Sequence, residues 1–173
     1  MRSKRRSSPK GCEDLAKAGC ETPVCKSLYA HKRKKYNKRM KHTTEIVVRS
    51  YECDSYNHVN NAVYLNYLEH ARMDFLHAAK FDYKGIVADG YSLYVTHIDI
   101  HYKNSAFLDD KLFIETMPVK LKHIMGEFHQ TIKKEDGTVC AEADVTWASV
   151  YKDGRPSKIP EQFLVDGLKP ETN

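Results

Sequence analysis

The chain has 173 residues, 41% of them hydrophobic and 10% aromatic, enough for one domain with a buried core, and no run nears the ~18 apolar residues of a membrane-spanning helix. The net charge of +5 hides an asymmetry: residues 1–41 carry 14 Lys and Arg against 3 acidic residues, whereas residues 42–173 carry 14 against 20. The basic character belongs to a leading segment and the remainder is mildly acidic, so charge gives no support to nucleic acid as the partner of the main domain.

Residues 1–42 read as a basic N-terminal extension that is disordered, because Lys and Arg crowd Lys32 to Lys41 and no periodic apolar face offsets the entropy of ordering. The alternatives are a targeting peptide for an organelle stroma or matrix, or upstream residues preceding a true start at Met40. No apolar segment follows the basic residues as a secretory signal requires. The odd cysteine count (Cys12, Cys20, Cys25, Cys53 and Cys140) therefore points to free thiols in a reducing compartment. The expected location is cytoplasmic. The cysteine spacings match no common zinc motif, and no metal is expected.

The domain, residues 43–173, opens on a β-rich stretch from Thr43 to Tyr51, a first strand. A polar loop follows, from Glu52 to Asn60, with Asn60 or Asn61 suited to cap a helix. From Ala62 to about Ala79 the pattern is helical: Tyr64, Leu68, Ala71, Phe75 and Ala78 recur three and four apart, with Leu65 and Leu76 widening the stripe. Few charges interrupt this helix, so other structure should wrap it. Residues 81–91, with Gly85 and Gly90, form a connection. Leu93–Tyr102 alternates as a strand, with Ile98, Ile100 and Tyr102 on one face and His97, Asp99 and His101 on the other. Further strands are expected at Lys111–Lys122, Gly126–Lys134 and Thr138–Tyr151, the last two flanking a Glu135-Asp136-Gly137 turn. Ile159–Leu168 reads as a short terminal helix or irregular chain. One strand, one long helix and four strands fit an α+β domain in which an antiparallel sheet curls around a central helix.

The segment from Asp54 to Arg72 concentrates the chemistry. It places an acid in a loop seven residues before a helix N-terminus, where unpaired backbone N–H groups and the positive end of the helix dipole can hold a carbonyl oxygen as it gains charge. A nearby carboxylate can attack the carbonyl carbon or deprotonate a water that does so. Acid, donor and groove are what thioester hydrolysis needs.

The run Asp54, then His58-Val59-Asn60-Asn61, then Tyr64-Leu65 and Ala71-Arg72 resembles the signature of the 4-hydroxybenzoyl-CoA thioesterase family of the hotdog superfamily. The similarity continues through Ile98 to Tyr102, Ser105 to Glu115 and Asp153 to Pro156, covering about residues 43–165. The resemblance implies a hotdog fold: a five-stranded antiparallel sheet wrapped around one long helix. It implies hydrolysis of acyl-CoA or acyl-carrier-protein thioesters, with coenzyme A or phosphopantetheine arriving as part of the substrate and no other cofactor. It implies a homodimer or homotetramer, with active sites at the interface between subunits.

By position, Asp54 matches the catalytic aspartate, the Asn61 backbone N–H matches the oxyanion donor, and His58 and Asn60 shape the site. Each has a plainer reading: a turn or capping carboxylate for Asp54, a backbone-bonded loop histidine for His58, and helix capping for the asparagines. Glu69 is the alternative carboxylate, since another branch of these enzymes uses a helix glutamate, although a structural pairing with Arg72 is the preferred reading. Tyr64 and Tyr67 read as core, with Tyr64 carried as a candidate substrate contact. Lys120, Lys122 and Arg155 are candidate partners for coenzyme A phosphates. A Cys53–His58 nucleophilic pair is disfavoured because neighbours on extended backbone point apart. The competing functions are an acyl-CoA-sensing module without catalysis and a hotdog dehydratase or hydratase, whose signatures are absent from the sequence.

Overall fold

In the computed structural model residues 40–170 are described, and they fall within the unit Tyr36–Asn173. The expected extension, residues 1–42, thus lies almost wholly outside the described residues. Five strands form one antiparallel sheet: β1 (His42–Val47), β2 (Tyr91–Tyr102), β3 (Lys111–Leu121), β4 (Met125–Lys134) and β5 (Val139–Tyr151). Their order across the sheet is β1-β3-β4-β5-β2, which leaves β1 and β2 at the edges. Between β1 and β2 in the chain come the long helix α1 (Asn61–Ala78) and the short helix α2 (Tyr83–Ala88).

Period-two alternation decides which sheet face is covered. Aligned rungs place Ile114, Ile132 and Ala141 together, and Thr116, Gln130 and Ala143 together; all six are buried. On β2, Ile98 aligns with Val145 and Ile100 with Ala143, which puts the aliphatic set on the covered face and His97, Asp99 and His101 on the other, as their alternation in the sequence implied. α1 lies on the covered face and buries Tyr64, Tyr67, Leu68, Ala71, Arg72, Phe75 and Leu76. Each fully buried aliphatic or aromatic side chain contributes roughly 1.5–3 kcal/mol.

The core has two parts. One, around the first half of α1, joins Tyr64, Tyr67, Leu68 and Ala71 to Leu112, Ile114, Ile132, Ala143 and Val145. The other, around its second half, joins Phe75 and Leu76 to Phe128, Trp147, Ile159, Phe163 and Leu168. The Trp147 indole occupies the space beside Gly126, where a Cβ would lie 2.3 Å from the ring.

Three details differ from expectation. β1 ends at Val47, because Ser50–Glu52 winds into a 3-10 turn in which the Arg49 N–H donates to the Glu52 carboxylate at 2.7 Å. The connection at 81–91 holds α2, capped by Asp82, whose side chain accepts from the Gly85 N–H. Leu65 does not widen the buried stripe: it is 38% exposed, on the side of α1 away from the sheet. Ile159–Leu168 is irregular chain with two 3-10 turns, Glu161–Phe163 and Asp166–Leu168.

Edge strand β1 is fastened to the helix through Asp74. The Thr44 hydroxyl donates to its Oδ2 at 2.7 Å and the His42 ring lies 2.8 Å from the same atom. Thr44 first, then His42, hold the Asp74 carboxyl below its ordinary value of 3.8. A depressed folded value means that this stabilisation is present above the ordinary value and is lost as pH falls through the folded one. In thermal melts from pH 5 downward, wild type should therefore lose melting temperature more steeply below about pH 4 than Asp74→Asn, which has no such proton to take up. Parallel curves would contradict the assignment.

Candidate active site

The loop between β1 and α1 closes on itself as a small hairpin. The Asn60 N–H donates to the Glu52 carbonyl at 3.0 Å, Cys53 bridges Val59, and the Asp54 N–H donates to the His58 carbonyl at 2.9 Å. At the tip the Asn57 N–H donates to the Asp54 carbonyl at 3.0 Å, with Asn57 at φ 63°. Asn is among the few residues other than Gly that enter this left-handed region readily, so the tight tip follows from its identity. The hairpin stands directly on the start of α1. Asp54 on one arm faces His58 on the other, two residues beyond the Glu52–Asn60 base.

The Asp54 carboxylate has two distinct oxygens. Oδ1 accepts from the Tyr56 N–H at 2.9 Å, the Asx-turn arrangement that fixes the side chain over its own loop. Oδ2 lies 3.4 Å from His58 Nδ1, and the Asp54 side chain is 21% exposed, the His58 side chain 37%. His58 Nδ1 is also 3.3 Å from the Val59 carbonyl. A carbonyl only accepts, so that contact is a hydrogen bond when Nδ1 carries the proton. His58 thus lies against Asp54 Oδ2, while Oδ1 is held by the Tyr56 N–H.

At the helix start, Asn60 caps α1 as the sequence suggested: its side-chain oxygen accepts from the Ala62 N–H at 2.9 Å, and the Val63 N–H donates to its carbonyl at 3.0 Å. Asn61, the first helical residue, has an N–H with no acceptor within the helix. Its carbonyl accepts from the Tyr102 hydroxyl at 2.9 Å, which ties the helix start to edge strand β2. Asp54, His58, Asn60 and Asn61 are therefore assembled in one place.

Of the other candidates Tyr64 lies beneath this group and the rest lie elsewhere. Tyr64 is buried; its hydroxyl accepts from the Ala106 N–H at 3.3 Å, and burial pushes its pKa up to about 12. Glu69 is ion-paired with Arg72 (side chains 58% and 8% exposed). Arg72 also donates to Gln130 Oε1 at 2.8 Å, and the Gln130 amide donates to the Leu68 carbonyl and Thr116 Oγ1, both at 3.0 Å. Glu69 thus balances a buried cation that fastens the helix to the sheet. Lys120 and Lys122 sit at the far end of β3, and Arg155 bonds back to Tyr151 at the far end of β5. The length of β3, roughly 30 Å of strand, separates them from the Asp54 loop of the same protomer. Among the described residues no three His, Cys, Asp or Glu side chains are grouped as metal ligands.

Two contributors were missed in the sequence. The alternation of β2 marks Tyr102 only as a member of one strand face. Glu52 was read only as loop, although its side chain accepts from the Tyr67 hydroxyl at 2.7 Å. The spacing of a polar loop residue and a helix tyrosine carries no signal for such a contact.

Comparison with known proteins adds independent evidence. The profile of the thioesterase-like superfamily matches residues 48–166. The long-chain acyl-CoA thioesterase FadM of Escherichia coli K12 is 37% identical over 108 residues, covering 62% of this chain and 81% of that protein. The chloroplastic acyl-acyl carrier protein thioesterase ATL3 of Arabidopsis thaliana is 31% identical over 74 residues, 43% of this chain and only 39% of that protein. Among solved structures, the probable thioesterase YbaW from Escherichia coli superposes with a TM-score of 0.61 at 31% identity, covering 70% of this chain and 92% of that one.

Proposed function

From the premise that the chain belongs to the thioesterase-like superfamily, we propose that it hydrolyses acyl thioesters of coenzyme A or of a carrier protein at the Asp54–Asn61 site. The observation that carries this reading is the hairpin that fixes a partly sheltered Asp54 carboxylate beside the N-terminus of α1. In the proposed reaction the thioester carbonyl oxygen accepts from the Asn61 N–H. Asp54 Oδ2 either takes a proton from a water that attacks the carbonyl carbon and returns it to the departing thiolate, or attacks the carbon itself to give an acyl anhydride. In the second case water then hydrolyses the anhydride, and the thiolate takes its proton from solvent. The helix N-terminus stabilises the oxyanion, and the thiol leaves. His58 orients Asp54, and the Asn60 cap keeps the first turn of α1 in register. Similarity to FadM favours an acyl-CoA substrate with a long chain, and similarity to ATL3 keeps carrier-protein thioesters in the set to be tested. We place the reaction in the cytoplasm, or in an organelle stroma or matrix if residues 1–40 act as a targeting peptide.

The reading includes a homodimer or a higher homo-oligomer. β2, at the sheet edge, has 12 residues, with Tyr94 and Val95 exposed. Long unpaired edges of this kind are usually covered. Antiparallel joining of two β2 edges would bring Arg155 of the partner subunit toward the Tyr102 end, where the coenzyme A phosphates would need a cation. Light scattering should give at least twice the monomer mass, and a monomer at micromolar concentration would contradict this part of the proposal. The function is tested by thiol release from a panel of acyl-CoA and acyl-carrier-protein thioesters. Tight acyl-CoA binding without cleavage would favour the sensing module instead.

A further inference from the structure

Three tyrosines converge on the parts of the site that have to stay in register. Tyr64 packs edge-on against both Tyr67 and Tyr102, with ring centroids 6.1 and 5.3 Å apart. Each hydroxyl has a separate partner. Tyr102 donates to the Asn61 carbonyl, at the helix start. Tyr64 accepts from the Ala106 N–H, and the Ala106 carbonyl in turn accepts from the Val59 N–H at 2.8 Å, at the exit of the Asp54 hairpin. Tyr67 donates to Glu52, at the entry of that hairpin.

The Tyr67–Glu52 contact is of a different kind from the other two. Glu52 Oε2 accepts from both the Tyr67 hydroxyl and the Arg49 N–H, each at 2.7 Å, while the Glu52 carbonyl accepts from the Asn60 N–H. One residue therefore binds the turn before the hairpin, the base of the hairpin and the second turn of α1. Tyr67 is buried, and burial together with the Glu52 carboxylate keeps the phenol protonated, so it remains a donor. Charge-assisted bonds to a carboxylate are short and strong, which suits them to set a position. Two rigid pieces meet here: the hairpin carrying Asp54 and the helix carrying the Asn61 N–H.

We propose that Tyr67 and Glu52 are positioning residues for thioester hydrolysis: their hydrogen bond sets the separation of the Asp54 carboxylate from the Asn61 N–H, and neither touches substrate. This inference rests on the Asp54–Asn61 reading given above. Misplacement of a reacting group by about 1 Å can cost up to ~100-fold in rate.

The test uses the full chain, an acyl-CoA cleaved by wild type, and rates normalised to the folded fraction from circular dichroism well below each variant's melting temperature. Tyr67→Phe keeps the ring and removes only the hydroxyl. It should lower kcat by roughly 10- to 100-fold while KM stays within about twofold. Glu52→Ala, which also loses the bond from the Arg49 N–H, should be at least as slow, and Glu52→Gln, whose amide oxygen still accepts, should recover most of the rate. Because the two residues act through one contact, Tyr67→Phe combined with Glu52→Ala should be no slower than the worse single variant. Wild-type kcat in Tyr67→Phe, losses that multiply in the double variant, or a change confined to KM would each overturn the inference. Asp54→Asn is run in parallel. If that variant retains hydrolysis, the underlying site assignment fails; if it is inactive while Tyr67→Phe turns over normally, only the positioning role fails.

Discussion

Asp54→Asn should fold as wild type does and lose roughly 10²–10⁴-fold in kcat for acyl-CoA hydrolysis, the range attributed to a positioned general base. The asparagine keeps the size of the side chain, and its carbonyl oxygen can still accept from the Tyr56 N–H, as Asp54 Oδ1 does at 2.9 Å. What it lacks is the charge and basicity of Oδ2. Turnover and melting temperature should therefore separate: the first collapses and the second hardly moves. Thiol release assayed beside a thermal melt reads both, and turnover within a few-fold of wild type would remove Asp54 from the mechanism.

Arg72→Ala should have the largest effect on stability, about 2–5 kcal/mol, the range for truncating a large buried side chain to alanine. Arg72 is only 6% exposed. Truncation leaves Gln130 Oε1 without its donor, removes the partner of Glu69 and opens a space between helix and sheet. Burial lowers the Arg72 pKa, and Glu69 opposes that shift. Glu69→Ala leaves the Arg72–Gln130 bond in place and opens no space between helix and sheet, so it should cost less than Arg72→Ala even though it takes the carboxylate from a buried cation. Urea unfolding of the two variants checks both the size and the order. Equal, small effects would mean that the network is not a latch.

The legible parts of the fold and site are those fixed by near neighbours in the chain. Asp54, Asn60 and Asn61 fall within eight consecutive positions, so a turn and a helix cap could be read from them directly. Strand faces followed from alternation, as for Ile98 and Ile100. Contacts between distant segments were not legible. The Arg72–Gln130 bond spans 58 positions, and nothing about either residue names the other. Leu65 was misassigned because the periodicity of α1 gives a stripe but not its width, which depends on how far the sheet curls around it. That Lys120, Lys122 and Arg155 lie a strand's length from the Asp54 loop of the same protomer depends on how the strands pair, which their charge does not reveal.

The split of the interior along α1 has a practical consequence. The Asp54 hairpin and its tyrosine supports rest on the cluster around the first half of the helix, while Phe75, Phe128, Trp147 and Phe163 fill the other. On the proposed mechanism, substitutions confined to the second cluster should move the melting temperature and leave turnover unchanged. The distal half of α1 is then the part of the rod open to redesign for robustness, since the proposed site touches none of it.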